Sequence, residues 1–428
     1  MRALVIGSGG REHSIAWRMA RDTGTDRVDL VPGNAGAAVD VACVPGNILD
    51  PAEMASLAEY LGSNCTVVGP EAPLAAGVAD EFLARGLPIV GPSRAAALLE
   101  ASKAFAKETC GEAGVPTAEW ALLEDARDIP STVGRFGYPV ALKADGLAAG
   151  KGVVIARDEP EACAVAADML AGRLVGAAGS RVVVERFLEG DEVSFMVLSD
   201  GRAYCALPVT RDHKRALDGD KGPNTGGMGA YCDDGIIDAA TRGRILDSIV
   251  EPVLACMRER GTPFRGFLYC GLMLSDEGPQ VLEFNVRLGD PETQPLLYRL
   301  EGGFTELLAS AARGELDSSL VEAAEGSTAC VVVASGGYPG KYATGLPVSG
   351  LRHAAALGAK VFHAGTRLAS GVPVTSGGRV LGVTARGGSL REALNMAYAA
   401  TREIRFEGAH YRTDIGRSGL RGGNGGGS

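Results

Sequence analysis

The sequence has few histidines, no C-x-x-C pair and no long apolar run. Five His among 428 residues argue against a histidine-based metal site or proton relay. The nine Cys are odd in number and lie mostly in apolar contexts, so we expect buried thiols in a reducing compartment instead of disulfides or a zinc site. No apolar segment approaches the length of a membrane span, and Met1 leads straight into a strand pattern. We therefore expect a cytoplasmic protein with no membrane partner.

Excess positive charge is also absent. The chain carries 42 Lys and Arg against 52 Asp and Glu, which gives a formal net charge of -10. Proteins that bind nucleic acid or anionic lipid usually present a basic surface, so neither partner is expected. Glycine, by contrast, is abundant at 61 residues and indicates many tight turns and phosphate-facing loops. The length of 428 residues predicts about two to four domains.

The N-terminal hundred residues alternate short apolar strands with loops containing glycine. The first strand enters Gly7-Ser8-Gly9-Gly10 and then a helix, which is a phosphate-binding arrangement. The dinucleotide fingerprint G-x-G-x-x-G would require glycine where Glu12 stands, so a nucleotide-dependent oxidoreductase is disfavoured. Arg11 and His13 either help to hold a phosphate or are simply solvated. The range 1–101 is predicted to be a doubly wound α/β domain.

A second glycine-rich segment lies beyond a predicted helix that Ser93 would cap and that would end near Gly114. Residues 138–156 predict a strand, a loop and a strand. The Walker motif does not fit, because its spacing is one residue short and a strand follows in place of a helix. The segment is either a flap over phosphates, with Lys143 and Lys151 as point charges, or a mobile surface hairpin.

Polar side chains alternate along one predicted strand. Glu283, Asn285 and Arg287 would share one face, because successive side chains of a strand point to opposite faces. The alternating apolar residues are expected in the core: Leu282, Phe284 and Val286. Two oxygen ligands followed by a guanidinium suit Mg²⁺ bound to a nucleotide phosphate. The alternative is an ordinary half-exposed strand, but Gly289-Asp290-Pro291-Glu292 at its carboxyl end favours a site.

Two further segments complete the predicted organisation. Residues 212–231 are rich in charge and glycine, and the closing Met228 and Tyr231 indicate an ordered ligand loop in preference to a disordered segment. The chain is β-rich from 327 onward and ends in a helix, so 327–416 is predicted to be a separate small α/β cap. The Gly-rich tail, 417–428, is expected to be disordered.

Several motifs taken in order resemble those of the phosphoribosylamine-glycine ligase family, also called glycinamide ribonucleotide synthetases, of the ATP-grasp superfamily. The matching pieces are Gly7 to His13, Gly69-Pro70-Glu71, Ser102-Lys103, Lys143 to Gly152, Asp212-His213-Lys214-Arg215, Gly222 to Tyr231 and Gly289-Asp290-Pro291-Glu292. The resemblance extends from residue 1 to about residue 416. It implies an ATP-grasp domain of two subdomains over 102–313, with a flap subdomain at about 120–190.

The resemblance also implies an activity. Such an enzyme joins glycine to 5-phosphoribosylamine in purine biosynthesis and releases ADP and phosphate, by way of glycyl phosphate. ATP is the co-substrate, Mg²⁺ or Mn²⁺ the metal, and a monomer the expected state. Arg211 and Leu288 depart from the family pattern, which carries glutamine and phenylalanine there; neither is an expected ligand. The alternatives are another ATP-grasp carboxylate-amine ligase or a non-catalytic nucleotide sensor.

Residue roles follow from the same motif matches. Lys143, Asp212 and Lys214 are expected to be catalytic. Arg287 is also expected to be catalytic, on the hypothesis that it orients the glycine carboxylate or the acyl phosphate, since it follows the metal pair on the same face of the strand. Glu283 and Asn285 are implied to hold the metal. The implied ATP-binding residues are Lys103, Lys143, Gly150, Lys151, Gly152, Glu185, Arg186, Phe187, Leu188 and Glu192. The implied substrate-binding residues are Gly9, Gly10, Arg11, Glu12, His13, Asn34, Glu71, Asp212, Lys214, Arg215, Gly227, Met228, Arg287, Asp290 and Pro291.

Overall fold

The computed structural model describes residues 1–148, 152–174 and 176–422. The implied ATP-binding residues Gly150 and Lys151 lie outside the described residues. Within the described ranges, no helix combines the length and apolar character needed to cross a membrane.

A five-stranded parallel sheet forms the N-terminal unit, in the order β3-β2-β1-β4-β5. Its strands are β1 Arg2–Gly7, β2 Arg27–Pro32, β3 Ala42–Cys43, β4 Cys65–Val68 and β5 Ile89–Val90. Its helices are α1 Gly10–Met19, α2 Ala37–Asp40, α3 Pro51–Leu61, α4 Glu71–Ala76, α5 Val78–Ala84 and α6 Leu98–Ala101. Helices cover both faces of the sheet, so its strands are mostly apolar, with buried Asp29 in β2 as an exception. This is the predicted doubly wound arrangement, with α1 starting directly after the first glycine loop.

The predicted helix from Ser93 to Gly114 is wrong in one respect, because it is two helices. Helix α6 ends at Ala101, and α7 spans Lys103–Ala113. Ser102 between them has an extended backbone and accepts a hydrogen bond from Phe105 N at 3.1 Å through its side chain. Serine competes with the helix for backbone donors, so a new helix starts here.

A small four-stranded sheet, β6-β9-β7-β8, carries the predicted glycine hairpin. Its elements are β6 Trp120–Leu123, α8 Ile129–Gly134, β7 Val140–Ala144, β8 Val153–Ala156, α9 Glu159–Leu170 and β9 Val182–Arg186. Strands β7 and β8 pair antiparallel, with Lys143 opposite Val153. The strand, loop and strand prediction is therefore confirmed for the described residues, and it places Lys143 at the open end of the hairpin.

The large sheet has nine strands and runs through both the core and the C-terminal unit, in the order β17-β16-β10-β12-β15-β18-β22-β19, with β11 beside β10. The core strands are β10 Asp191–Asp200, β11 Tyr204–Ala206, β12 Thr210–Asp212, β15 Gly229–Cys232, β16 Arg265–Ser275 and β17 Gly278–Asn285, with a side hairpin of β13 Arg215–Leu217 and β14 Lys221–Asn224. The core helices are α10 Ala239–Ile245, α11 Glu251–Glu259, α12 Thr293–Arg299 and α13 Phe304–Arg313. The segment 212–231 is therefore ordered, as predicted.

The C-terminal unit continues this sheet instead of forming a separate one. It consists of β18 Ser327–Ala334, α14 Leu351–Ala356, β19 Lys360–His363, β20 Thr366–Ala369, β21 Val372–Thr375, β22 Arg379–Gly387, α15 Leu390–Thr401 and α16 Arg417–Gly422. Strand β18 pairs antiparallel with β15 over four residues. The expectation of a separate cap is corrected in this respect, because backbone hydrogen bonds join the cap to the core.

The prediction of a disordered tail is wrong for residues 417–422. These residues form α16, and Leu420 packs on a buried cluster that includes Tyr231 and Leu394. Gly419 allows the close approach, because a Cβ there would lie 2.8 Å from the Tyr231 hydroxyl. One apolar residue and one well-placed glycine are enough to anchor a segment whose composition resembles a linker. Residues 423–428 lie outside the described residues.

The polar strand β17 contains an irregularity that the alternation does not predict. The pairing with β16 shifts register, so that Gly271 faces Glu283 and the next residue, Leu272, faces Val281. Leu282 is the extra residue of this bulge and is only half-buried, while Val281 enters the core in its place. The expected core position of Leu282 is therefore wrong, and those of Phe284 and Val286 are confirmed.

Candidate active site

A cleft of about 760 Å³ lies where the N-terminal unit, the small sheet, the large sheet and the C-terminal unit meet. Each unit contributes charged side chains to its walls, among them Arg11, Glu71, Lys143, Glu185, Glu283 and Arg379. Residues distant in sequence are therefore brought to one polar cavity. Such convergence of charge at the junction of several units is typical of a binding site.

Two lysines share one carboxylate on the inner side of the cleft. Lys143 Nζ and Lys107 Nζ each lie 2.9 Å from Glu185 Oε2. Lys143 also donates to the carbonyl oxygen of Leu282 at 2.8 Å, and Lys107 donates to Thr117 Oγ1 at 2.6 Å. Burial lowers the pKa of Lys107. Because the Leu282 carbonyl belongs to the β17 bulge, this irregularity ties the small sheet to the metal-candidate strand.

Lys103 lies at the start of α7, on the same side of the cleft. Its Nζ donates to the carbonyl oxygen of Gly146 at 3.2 Å, in the hairpin loop. Asp145 holds the start of α7 against the hairpin, since its Oδ1 accepts hydrogen bonds from Ser102 Oγ at 2.9 Å and from Ala104 N at 3.1 Å. Burial lowers the pKa of Lys103. Gly152 closes the described part of the hairpin, where its carbonyl accepts from Ala144 N at 2.8 Å.

Glu283 and Asn285 lie on β17 with their side chains toward the cleft. Lys214 Nζ contacts Glu283 Oε1 at 3.3 Å and also pairs with Glu192. The nearby Lys214 ammonium lowers the pKa of Glu283 to about 2, so its carboxylate is charged at neutral pH. A carboxylate and an amide oxygen fit Mg²⁺, which usually takes one or two protein ligands and completes its shell with water and phosphate oxygens.

The described residues contain no cluster of three or more His, Cys, Asp or Glu suited to a metal ion. A metal at Glu283 and Asn285 would therefore depend on ligands from the nucleotide. This agrees with the chemistry of a metal that arrives with ATP.

Arg287 follows the metal pair and is held from three sides. Its Nη2 donates to Glu100 Oε1 at 2.8 Å and to Asn285 Oδ1 at 3.0 Å, and its Nε lies 3.3 Å from Glu71 Oε2. Burial raises the pKa of Glu100, whose other oxygen accepts from Val286 N at 2.7 Å. The Arg287 guanidinium is therefore preorganised at the cleft wall by two carboxylates of the N-terminal unit.

The loop before β15 packs on the turn after β17. A Cβ on Gly227 would lie 2.3 Å from Pro291 Cδ and 2.7 Å from Asp212 Oδ1, so glycine is required for this contact, at a φ of +112°. Burial, with Glu292 nearby, raises the pKa of Asp212. Met228 is fully buried below the loop and does not line the cleft.

The first glycine loop is closed by its own side chains. Glu12 Oε2 accepts from Gly9 N at 2.6 Å, and Arg11 Nη1 donates to the carbonyl oxygen of Leu288 at 3.1 Å. Gly10 faces Gln294, whose Nε2 would lie 2.7 Å from an added Cβ. Glu12, where the dinucleotide fingerprint would need glycine, therefore organises the loop, while Arg11 reaches the cleft.

His13 and Asn34 do not line the cleft but join the N-terminal and C-terminal units. His13 Nε2 is 2.7 Å from Asp40 Oδ2, and its Nδ1 accepts from His363 N at 2.9 Å. Asn34 Nδ2 donates to the carbonyl oxygens of Ser8 at 2.8 Å and His363 at 2.7 Å. The two contacts to His363 join the units, while Asp40 and Ser8 belong to the N-terminal unit and hold the His13 and Asn34 side chains in place.

The segment between β9 and β10 contributes Phe187 and Leu188 to the apolar lining of the cleft. The Arg186 side chain is exposed, and its backbone N–H donates to Glu119 O at 2.9 Å. Glu192 pairs with Lys214 across the cleft floor. Arg215 donates to the carbonyl oxygen of Gly222 at 2.9 Å within its hairpin, at the cleft edge.

The charged side chains of the cleft that sequence reasoning did not select include Glu100, Lys107 and Arg379. Lys107 lies four residues after Lys103 on α7, and this helical spacing is a usable signal. Glu100 and Arg379 lie 187 and 89 positions from their partners Arg287 and Asp290, so no local pattern marks them.

The phosphoribosylglycinamide synthetase family matches the chain in three parts, as its N domain (residues 1–100), its ATP-grasp (A) domain (101–293) and its C domain (328–418). A phosphoribosylamine-glycine ligase of Pseudomonas aeruginosa is 48% identical over 419 residues, 97% of either chain. The protein of that name from Salmonella typhimurium is 45% identical over 420 residues, which is 97% of this chain and 98% of the relative.

Solved structures agree. A phosphoribosylamine-glycine ligase of Thermotoga maritima has a TM-score of 0.85 and 34% identity, over 97% of this chain and 100% of that one. The biotin carboxylase domain of Hydrogenobacter thermophilus 2-oxoglutarate carboxylase, solved with MgADP and bicarbonate, has a TM-score of 0.71 at 18% identity, over 96% and 91% of the two chains. The second likeness shows a shared fold only.

The glycine hairpin, the two sheets around the cleft and these likenesses define an ATP-grasp enzyme. Within that class the chain belongs to the phosphoribosylglycinamide synthetase family, whose three domains it contains in order.

Proposed function

We propose that this enzyme joins glycine to 5-phosphoribosylamine at the expense of ATP, giving glycinamide ribonucleotide, ADP and phosphate in purine biosynthesis. The observation that carries the proposal is the convergence of Lys143, Glu283 and Arg287 on one cleft, in a chain 48% identical to a ligase of that name. The nearly complete coverage of that relative, 97%, extends the likeness to all three domains.

The chemistry begins with a carboxylate that an amine cannot attack, because it is anionic and has no good leaving group. A glycine oxygen takes the γ-phosphoryl group of ATP, ADP departs, and glycyl phosphate forms. The amine nitrogen of phosphoribosylamine then attacks the glycyl carbonyl carbon, the carbon–oxygen bond to phosphate breaks, and the amine loses a proton as phosphate leaves. Such transfers depend on positioning and charge neutralisation more than on a protein nucleophile.

The lysines of the cleft neutralise the nucleotide phosphates in this proposal. Lys103 and Lys143 lie beside the glycine hairpin, and Lys143 is placed between Glu185 and the metal-candidate strand. Phe187 and Leu188 bound the apolar slot for adenine, and Glu192 accepts the ribose hydroxyls. Gly150 and Lys151, outside the described residues, stay predicted phosphate ligands.

Glu283 and Asn285 would hold Mg²⁺, which when bound neutralises phosphate charge and polarises the transferred group. The ionised Glu283 supplies the negative charge that a divalent ion needs. Function with Mn²⁺ in its place stays a prediction, tested by the same assay with each metal. A monomeric state and a cytoplasmic location also stay predictions; light scattering would test the first.

Arg287 orients the glycine carboxylate or the acyl phosphate, since it follows the metal pair and is fixed by Glu71 and Glu100. Asp212, Lys214, Asp290 and Pro291 border the same part of the cleft or the turn beside it. The ribose phosphate is proposed to bind between the Gly7 to His13 loop, Lys214-Arg215 and the segment His363 to Thr366 of the C-terminal unit. His13, Asn34, Glu12 and Met228 are proposed to support this substrate site from behind.

Product formation tests the proposal directly. Purified enzyme receives ATP, Mg²⁺, glycine and freshly prepared phosphoribosylamine, and ADP release should require both substrates. Glycine labelled with ¹⁸O in its carboxylate should transfer one label to inorganic phosphate, as an acyl phosphate intermediate demands. ADP release with bicarbonate alone would favour a different ATP-grasp ligase and contradict the proposal.

The role of Arg287 is tested by Arg287→Lys, which keeps the charge but loses the planar fork. We expect kcat/KM for glycine to fall by about 10- to 100-fold, because the bidentate geometry is lost. Exposed Arg352→Lys is the matched control. Normal kcat and glycine KM in the Arg287 variant would contradict its role.

A further inference from the structure

Arg379, the first residue of β22, extends from the C-terminal unit into the cleft. Its Nη1 donates to the carbonyl oxygens of Gly226 and Asp290. Its Nη2 donates to Asp290 Oδ2 at 2.9 Å. One guanidinium therefore binds two loops of the core, one after β14 and one after β17. These loops are more than sixty residues apart in the chain.

Both backbone polar groups of Gly226 form hydrogen bonds with the C-terminal unit. Gly226 N donates to the hydroxyl of Tyr338 at 3.1 Å, while its carbonyl accepts from Arg379. A Cβ on Gly226 would lie 3.0 Å from Arg379 Cζ, so the absence of a side chain is what allows the guanidinium to reach the backbone. The loop is therefore positioned by the C-terminal unit.

The second loop, the turn Gly289-Asp290-Pro291-Glu292, is fixed by the same arginine. Asp290 Oδ1 accepts from Gln294 Nε2 at 2.8 Å, and Oδ2 accepts from Arg379. Although burial opposes ionisation, the Arg379 cation holds the pKa of Asp290 below its ordinary value. Both carboxylate oxygens are thus engaged within the protein. Asp290 acts on the site through the shape of the turn, which places Pro291 against Gly227.

We infer that Arg379 is a positioning residue for the ligase reaction, which aligns the Gly226 loop and the Gly289–Glu292 turn around bound glycine and phosphoribosylamine. The inference rests on the proposed function. The ATP lysines, Lys103 and Lys143, are held by other contacts, to Gly146 and to Glu185 and Leu282. Loss of the Arg379 guanidinium should therefore affect the two acceptor substrates and spare ATP.

The experiment compares Arg379→Met, Arg379→Lys and Arg379→Ala with Arg386→Met in the same strand. Arg386 donates to the Glu325 carbonyl at 2.9 Å at an exposed position, so its variant controls for loss of an arginine from β22. We expect Arg379→Met to lower kcat/KM for glycine and for phosphoribosylamine by about 10- to 100-fold, since a displacement of about 1 Å costs that much. ATP affinity by equilibrium binding should stay within about twofold.

Two measurements distinguish a positioning role of Arg379 from a general loss of stability. Arg379→Lys, which keeps one donor, should recover part of the lost kcat/KM, and millimolar guanidinium should restore part of the activity of Arg379→Ala but not raise that of Arg386→Met. Kinetics of Arg379→Met equal to those of Arg386→Met would overturn the inference. So would a parallel loss of ATP affinity. An inactive wild-type enzyme, in contrast, would overturn the proposed function itself, and the inference with it.

Discussion

Glu185 shows how one carboxylate sets the local charge at the inner end of the cleft. Lys107 and Lys143 both lie 2.9 Å from Glu185 Oε2, and Oε1 has no hydrogen-bond partner among the described residues. Two cations against one anion leave net positive charge at the inner end of the cleft. Because Lys107 compensates the charge of Glu185, the positive charge of Lys143 stays available to an anion that enters the cleft.

Replacing Lys107 should therefore weaken ATP binding although Lys107 is not a motif residue. In Lys107→Met the Glu185 carboxylate binds Lys143 alone, and the net charge falls to zero. We expect the KM for ATP to rise by about tenfold, which corresponds to about 1.4 kcal/mol, with the glycine KM little changed. The measurement is ADP release against ATP concentration. Exposed Glu108→Gln on the same helix is the control; equal ATP KM values in the two variants would contradict the expectation.

Glu283 is tested through the metal dependence of nucleotide binding. Glu283→Gln keeps an oxygen but removes the negative charge from the candidate metal pair. We expect the Mg²⁺ concentration for half-maximal activity to rise by about tenfold or more, and calorimetry should find a smaller difference between ATP affinities with and without Mg²⁺. Exposed Glu277→Gln, near the start of β17, should match wild type. An unchanged Mg²⁺ requirement in Glu283→Gln would exclude Glu283 as a ligand.

The residues selected by sequence separate into two groups in the structure. One group lines the cleft, because α7 begins there and β7 and β17 end there. Its members are Lys103, Lys143, Glu283 and Arg287. His13, like Asn34, joins two units instead. A polar residue beside a glycine loop has the same local sequence pattern whether it lines the cleft or joins two units. Only its contacts with residues distant in the chain distinguish the two roles.

At the scale of elements, periodicity located the strands but not their irregularities. The alternation in β17 predicts that the Leu282 side chain is in the core. Because of the bulge, Val281 is buried there and Leu282 is not. A bulge depends on the partner strand, so the sequence of β17 alone contains no sign of it. Its consequence is functional, since the freed carbonyl of Leu282 accepts from Lys143.

The helix break at Ser102 leads to a stability prediction. Ser102 Oγ accepts from Phe105 N at 3.1 Å and lies 2.9 Å from Asp145 Oδ1, so it caps α7 and ties that helix to the glycine hairpin. We expect Ser102→Ala to lower the free energy of unfolding by about 1–2 kcal/mol in urea titrations. The control is Ser248→Ala at a half-buried position, where the hydroxyl donates to Arg244 O one turn earlier and joins no second element by a hydrogen bond within the described residues; it should change this free energy by less than about 0.5 kcal/mol. Equal effects of the two substitutions would count against the cap.

At the scale of the whole molecule, the order of units was predictable and their connection was not. Composition and strand patterns place an α/β unit first and a β-rich unit last. The pairing of β15 with β18, which makes one sheet of core and C-terminal unit, joins strands about a hundred residues apart and has no local signature. The joint of His13, Asp40 and Lys360 between first and last units arises in the same way.

Buried histidines make this assembly sensitive to mild acid. Burial lowers the pKa of His13, that of His213 to about 4 and that of His363 to about 3, against an ordinary 6.5. His213 and His363 stay neutral in the folded protein at pH 5.5, while the unfolded chain takes up protons below pH 6.5, so their contribution to stability falls as the pH drops. Between pH 7.5 and 5.5 each of these two groups contributes about 1.4 kcal/mol, and His13 acts in the same direction.

We therefore expect His213 and His363 together to lower the free energy of unfolding by about 3 kcal/mol between pH 7.5 and pH 5.5, while the raised pKa of buried Asp212 acts in the opposite direction. Urea titrations at the two pH values measure this difference. His363→Gln should reduce it by about 1 kcal/mol even if the variant is less stable at both pH values, because one titrating group is removed. The exposed His353→Gln serves as the control and should leave the difference unchanged. A difference between the two pH values that is the same in His363→Gln as in the wild-type enzyme would mean that His363 accepts a proton in the folded enzyme, and the joint between the first and last units would then tolerate a charge.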